Sequence, residues 1–249
     1  NQSGMICSGE QTNFLYRMTH EDIAPVENLI RCLEKNRSGI LQLSPDGFSF
    51  SENSIGEETI CFEFSSEEKW LYREKTGYKN TLHIIGGGHC ALAFSKIMSM
   101  MDFYICLYDT RPDLHTMSQN EYVHEKRIIK DYSELKGILS SCSDHMVVVM
   151  TFGYRTDEIA VKALLSKEFQ YFGLLGSSKK TKKLLSDLKK EGFSQEQLDK
   201  IHAPVGLPIN SQTPEEIAIS IAAEIISTKN KASKNILHKP LSFGEGPGV

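Results

Sequence analysis

From Thr81 onward, short and almost continuously apolar runs alternate with segments of helical period, and this rhythm constrains the fold more than any other feature. The apolar runs are "LHIIG", "FYICLYD", "HMVVVMTFG" and "YFGLLGSS". Between and after them come a helical pattern from His89 to about Met101, then "YSELKGILSSC", "RTDEIAVKALLSK" and "KKTKKLLSDLKKEG". Strands with no polar alternate positions are covered on both faces, which means a parallel sheet between two layers of helices. The expected fold class is therefore α/β, a doubly wound parallel-sheet Rossmann-like domain over residues 80–228. "TPEEIAISIAAEIISTKNK" closes it as a helix, with Thr213 as N-cap, Pro214 at the first helical position and Glu216 completing a capping box. Residues 229–249 lack periodicity and are expected to be a loose tail.

Residues 1–79 read differently, as a smaller mixed α+β N-terminal domain. "IAPVENLIRCLEKN" has apolar residues at helical spacing, "SGILQLSPDGFSF" looks like two strands around a turn, and "TICFEFS" alternates as a strand. A chain of 249 residues with a net charge of −4 and no basic block does not fit a protein built to hold nucleic acid. No apolar stretch approaches the ~20 residues of a membrane span. The opening "NQSGMICSGEQ" lacks the charged start and apolar centre of a signal peptide. Six cysteines without a CxxC pair suit reduced thiols, and so a cytoplasmic protein, rather than a disulfide framework or a structural zinc site.

Candidate site residues collect where strands hand over to helices. "GGGHCA" fits G-x-G-x-x-A after a strand, and Asp109 ends the next strand, in "YDTRPD". Gly86, Gly87 and Gly88 would let backbone approach a pyrophosphate or phosphate, and Asp109 would take a ribose hydroxyl. Glycines that merely permit close packing are the structural alternative. His89 is more polar than the first helical turn requires, so it is expected to face a ligand. Cys90 beside it reads either as a reactive thiol or as a small residue facing the sheet. A second turn, Gly176-Ser177-Ser178 followed by Lys179, makes a further anion site at a helix start. Arg155 and Asp157 follow a third strand at the same edge, and "HAPVGLPI" is a stiff loop able to wall a pocket.

"HIIGGGHCALA", "YDTRPD", "YFGLLGSSKKTKKL", "HAPVGLPI" and "TPEEIAISIAAEII", in order over about residues 81–228, resemble the C-terminal Rossmann domain of the xanthine dehydrogenase accessory factors, the XdhC/CoxI family. "MICSG" resembles the segment that ends that family's N-terminal domain. The resemblance implies an accessory protein for xanthine dehydrogenase-type molybdoenzymes. Such a protein binds the molybdenum cofactor, a pterin with a dithiolene-bound metal and a phosphate. It protects the cofactor, assists its sulfuration with a cysteine desulfurase and delivers it to the target, a cofactor chaperone more than a catalyst. Homodimerisation is expected. On this reading Gly86–Gly88, His89, Asp109, Arg111, Gly176, Ser177, Ser178 and Lys179 hold the pterin phosphate or an attached nucleotide. Cys7, in "MICSG", is then a soft ligand or contact.

Two departures accompany the resemblance. The family's N-terminal domain has more chain upstream, including a Gly-Gly-x-x-Glu-like turn, so that domain is expected to be partial here. The family often has Thr-His where this chain has Thr151-Phe152, which removes an imidazole from the strand end. The competing functions are an NAD(P)-dependent oxidoreductase, supported by the G-x-G-x-x-A turn and Asp109 but lacking a Tyr-x-x-x-Lys pair, and a nucleotide-sensing regulatory module.

Overall fold

The computed structural model describes residues 15–35, 37–52, 60–66 and 68–237, with side chains to Lys231. Two compact units meet in sequence at Gly77 and Tyr78. The first holds helix α1 (Ile23–Glu34) and strands β1 (Gly39–Ser44), β2 (Gly47–Ser51), β3 (Ile60–Ser66) and β4 (Lys69–Thr76). The strands form an antiparallel sheet in the order β2-β1-β4-β3. The β1–β2 hairpin turns at "SPDG", where Gly47 takes a φ of 129° that other residues rarely adopt. Ahead of α1, the buried Asp22 carboxylate accepts from the Thr19 backbone N at 2.7 Å and from the Tyr16 hydroxyl at 2.9 Å. Those bonds hold its carboxyl below the usual range, with the Thr19 backbone contact foremost.

The second unit begins with β5 (Asn80–Ile85), α2 (His89–Met98), β6 (Phe103–Asp109), α3 (His115–Ser118) and β7 (Glu125–Ile128). It continues through α4 (Leu135–Ile138), β8 (Cys142–Val149), α5 (Tyr154–Leu164), β9 (Phe169–Leu174), α6 (Ser178–Lys190), α7 (Gln195–Asp199), β10 (Ile201–His202) and α8 (Pro214–Leu237). The six strands are parallel in the order β10-β9-β8-β5-β6-β7. Counted from β5, that is the 3-2-1-4-5-6 arrangement of a doubly wound dinucleotide-binding sheet.

Period-two alternation along the strands explains the two cores. On β5, Leu82 and Ile84 point to one face with Ile105, Leu107, Met146 and Val148, under Phe94 and Met98 of α2 and Ile221 and Ile225 of α8. Ile85 points to the other face with Tyr108, Val147 and Val149, under Val161 and Leu164 of α5 and Leu184 and Leu188 of α6. Each fully buried aliphatic side chain contributes about 1.5–3 kcal/mol of transfer free energy, so the sheet is the stabilising centre of the unit.

Several segments depart from the sequence-based reading, among them the short helices α3 and α7, which show no helical period in sequence. "YSELKGILSSC" is one 3₁₀ turn (Tyr132–Glu134) followed by the single-turn α4, because Gly137 weakens the helix and Leu139 is already extended. β7 shows no strand pattern in sequence, since its Glu125, Lys126 and Arg127 are those of a polar sheet edge rather than an apolar run. β10 is too short to show any period. The tail expected from residue 229 is instead helical as far as Leu237, because no glycine or proline interrupts the chain there and Lys and Ala sustain a helix once nucleated. At its start the expected capping box is present: Thr213 Oγ1 accepts from Glu216 N at 3.2 Å, and the Glu216 carboxylate accepts from Thr213 N at 3.1 Å.

Candidate functional site: the crevice at the carboxyl ends of β5, β6 and β8

In a sheet of this order the ligand crevice opens where the winding reverses, between the first and fourth strands, here β5 and β8. The three glycines after β5 are not equivalent. Gly86 has φ 110°, and a Cβ there would sit 2.5 Å from the Met150 carbonyl oxygen. It is needed so that the turn can pack against the end of β8. Gly87 is buried, its N–H donates to Asp109 Oδ2 at 2.7 Å, and its carbonyl accepts from Thr116 Oγ1 at 2.5 Å. Gly88, the N-cap of α2, has an ordinary φ of −73° and nothing within 4 Å of where its Cβ would be. Gly88 alone of the three faces open space, ahead of the unpaired N–H groups of the first turn of α2.

Asp109 ends β6 with its side chain 0% exposed. Oδ1 accepts from the backbone N and Nε of Arg111 at 2.9 and 2.8 Å, and Oδ2 accepts from Arg111 Nη2 at 2.8 Å besides Gly87 N. Burial pushes this carboxyl up, but the Arg111 and Gly87 bonds together outweigh it and hold the group below the usual carboxylate range. The acid expected to take a ribose hydroxyl is therefore engaged by the chain itself. It fastens the glycine turn to the second strand. Arg111 lies with its guanidinium carbon 4.7 Å from the Phe152 ring centre, a cation–π contact. Phe152 is 66% exposed at the end of β8.

Below Phe152, Thr151 and Asp157 lock the next turn. Thr151 Oγ1 donates to Asp157 Oδ1 at 2.5 Å and Thr151 N donates to the same oxygen at 3.1 Å, while Asp157 Oδ2 pairs with the Lys180 ammonium. Burial pushes the Asp157 carboxyl above the usual range, offset only in part by Lys180 and Thr151. This pair ties α5 to the start of α6, and so the β8 turn to the β9 turn. Gly176, Ser177, Ser178 and Lys179 follow β9 at the same carboxyl edge, with β8 between them and the glycine turn, a separation of about 10 Å from two inter-strand spacings. Ser177 caps α6 by accepting from Lys180 N at 3.3 Å, and Ser177, Ser178 and Lys179 are exposed. The two turns share an edge, but the lysine tied into the network is Lys180 rather than Lys179.

His89 is exposed at the first turn of α2. Burial, with a lesser push from Glu215, raises the Cys90 thiol above its ordinary range, so this cysteine is a packing residue rather than a ready thiolate. Cys7 lies outside the described residues. Among the described residues no group of three or more His, Cys, Asp and Glu side chains is placed to hold a metal. No described helix is long and apolar enough to cross a membrane.

The "HAPVGLPI" loop gains a structural reason that sequence did not supply. Glu224, an acid within the apolar stretch "ISIAAEII" of α8, accepts from Tyr171 Oη at 2.5 Å and Gly206 N at 2.7 Å, with His202 Nδ1 at 3.1 Å. Gly206, at φ 101°, brings the loop so close to α8 that a Cβ would clash with Ser220 Oγ. A lone carboxylate in an apolar helix face was the only sequence signal for this clasp.

Comparison with known proteins places these features. The XdhC Rossmann domain model matches residues 82–225. The Escherichia coli (strain K12) protein YqeB is 30% identical over 168 residues, covering 66% of this chain and 30% of that protein. A Bacillus subtilis (strain 168) protein, named as one chain of a probable xanthine dehydrogenase, is 30% identical over 164 residues, covering 66% of this chain and 47% of the relative. The chain thus spans less than half the length of either relative. A crystal structure described as a xanthine dehydrogenase from Bacillus halodurans superposes with a TM-score of 0.63 at 26% identity, over 83% of this chain and 64% of that one. With the sheet order, the glycine turn and a family match over more than half its length in agreement, the chain belongs to the XdhC Rossmann-domain family.

Proposed function

We propose that the protein is an accessory factor for xanthine dehydrogenase-type molybdenum hydroxylases, holding the molybdenum cofactor while it is protected, sulfurated and inserted. One observation carries this reading: an XdhC-family sheet presents, at its switch point, a glycine turn with one open position beside a cation, the furniture of an anion site. The pterin phosphate fits that site, with Gly88, the first turn of α2 and the exposed part of Arg111 as its holders. A soft sulfur contact to the cofactor is proposed for Cys7. When bound, the cofactor would supply a molybdenum centre able to carry a sulfido ligand.

This chain's residues orient and screen. Asp109 fixes both the turn and the arginine, the Thr151–Asp157–Lys180 network sets the neighbouring turn, and the Glu224 clasp holds the 203–209 loop. The chemistry of sulfur transfer is assigned to a cysteine desulfurase partner, and two copies of the chain are proposed to act together. The test is anaerobic co-expression of a xanthine dehydrogenase-type hydroxylase with and without this protein. A rise in the sulfido-loaded fraction of the target supports the reading, and equal metal and sulfido content in both preparations refutes it.

A further inference from the structure

The Asp109 carboxylate occupies the position from which a dinucleotide-binding sheet grips a ribose diol, the end of the second strand. Yet both of its oxygens are occupied by four N–H donors from Gly87 and Arg111, all between 2.7 and 2.9 Å, and its side chain is 0% exposed. A diol arriving here would have to displace the glycine turn or the guanidinium. The crevice is therefore built against the ligand group that its fold usually accepts.

Arg111 is differently placed. Its side chain is 36% exposed, and its two bonds to Asp109 engage two of a guanidinium's five N–H groups. Arg111 follows β6 and Phe152 follows β8, with β5 between them in the sheet. The stack on Phe152 thus carries the guanidinium across the glycine turn. Held at one edge by a carboxylate and at one face by a ring, the fork keeps its orientation, and a fixed fork of N–H donors is the geometry that takes phosphate oxygens. Gly88 leaves the space through which an anion reaches the backbone of the same turn.

We infer that the crevice selects a terminal phosphomonoester over a ribose diol, with Arg111 as the specificity-determining residue and Asp109 as the residue that positions it. This rests on the crevice being the ligand site, as proposed above. A pterin phosphate and a nucleotide phosphate share this chemistry, and the assay separates them. The full chain is titrated calorimetrically with three matched pairs. These are an oxidised fluorescent pterin with its phosphate against the same compound after phosphatase treatment, AMP against adenosine, and NADP against NAD.

The phosphorylated member of at least one pair should bind about tenfold tighter or more, and inorganic phosphate should compete with it. Preference confined to the first pair identifies the pterin as the source; preference confined to the other two identifies a nucleotide. Arg111→Gln should abolish the preference, and Arg111→Lys, which keeps the charge but loses the fork, should retain part of it. Equal affinity within every pair overturns the inference, and so does tighter binding of NAD than NADP when neither the pterin pair nor the AMP pair shows a preference for the phosphate. Because the pairs are compared on the parent protein, this outcome does not depend on either variant folding. No binding of any member overturns both the inference and the crevice as the ligand site. If the phosphate preference holds while co-expression leaves the hydroxylase unchanged, the accessory reading falls and the inference stands.

Discussion

Asp109→Ala tests whether a buried carboxylate, rather than the glycines alone, shapes the turn after β5. The substitution removes four hydrogen bonds, two to backbone N–H groups and two to the Arg111 guanidinium. The guanidinium is 36% exposed and can turn to water, so its share is heavily discounted. The Gly87 N–H has no such escape, because the turn is packed against Leu114 and Met117. An unsatisfied buried N–H costs about 1–3 kcal/mol, and the small void left by the carboxylate adds up to about 1 kcal/mol. The total is about 1–4 kcal/mol, or about 2–16 °C in Tm for a unit of this size.

The two units can be followed separately in one sample. The single tryptophan, Trp70, belongs to the first unit, whereas most of the helix belongs to the second. Urea unfolding followed by far-ultraviolet circular dichroism should shift to lower urea in Asp109→Ala, with Trp70 fluorescence recorded alongside as the report on the first unit. A circular-dichroism transition within about 0.5 kcal/mol of the parent, the range of an ordinary surface substitution, would refute the reasoning.

Gly86→Ala should destabilise the second unit by more than about 3 kcal/mol through its positive φ and the clash with Met150. Gly88→Ala should leave thermal melting nearly unchanged yet weaken phosphate-bearing ligands, which a melt and a titration on the two variants would check. Gly206→Ala should strain the loop against Ser220, costing about 2 kcal/mol and exposing residues 203–209 to limited proteolysis. His83 is pushed down to about 3, first by burial and then by the nearby His145 and Arg127. The unfolded chain therefore binds more protons than the folded one between about pH 6.5 and pH 3, and stability should fall as pH drops through that window. The slope is up to about 1.4 kcal/mol per pH unit, and His83→Gln should flatten a urea-midpoint series across pH 7 to 5. Asp109 acts in the same direction at lower pH: its folded-state value is depressed, so its contribution is present above about pH 4 and is lost below.

The alternating apolar runs were enough to specify a parallel sheet flanked by helices, because burial on both faces leaves no polar positions in a strand. The capped start of α8 was equally legible, since Thr213, Pro214 and Glu216 act within one turn of chain. Local rules also located the glycine turns and the acid that follows the second strand. They failed where a residue's partner lies far along the chain. β7 is a strand only because β6 offers it an edge, and the tail to Leu237 is helical only because α8 was nucleated upstream. The three glycines look identical in sequence, but the backbone of Met150 and the carboxylate of Asp109 make one a close-packed corner, one a donor and one an opening. That Arg111 and Gly87 fold onto Asp109 is likewise absent from the sequence pattern. Lys180 rather than Lys179, and Glu224 beneath the 203–209 loop, were decided the same way. Hydrogen-bond partners brought together across 18 to 22 residues by the fold, as with Gly206 and Glu224 or Gly87 and Asp109, leave no periodic trace for sequence to display.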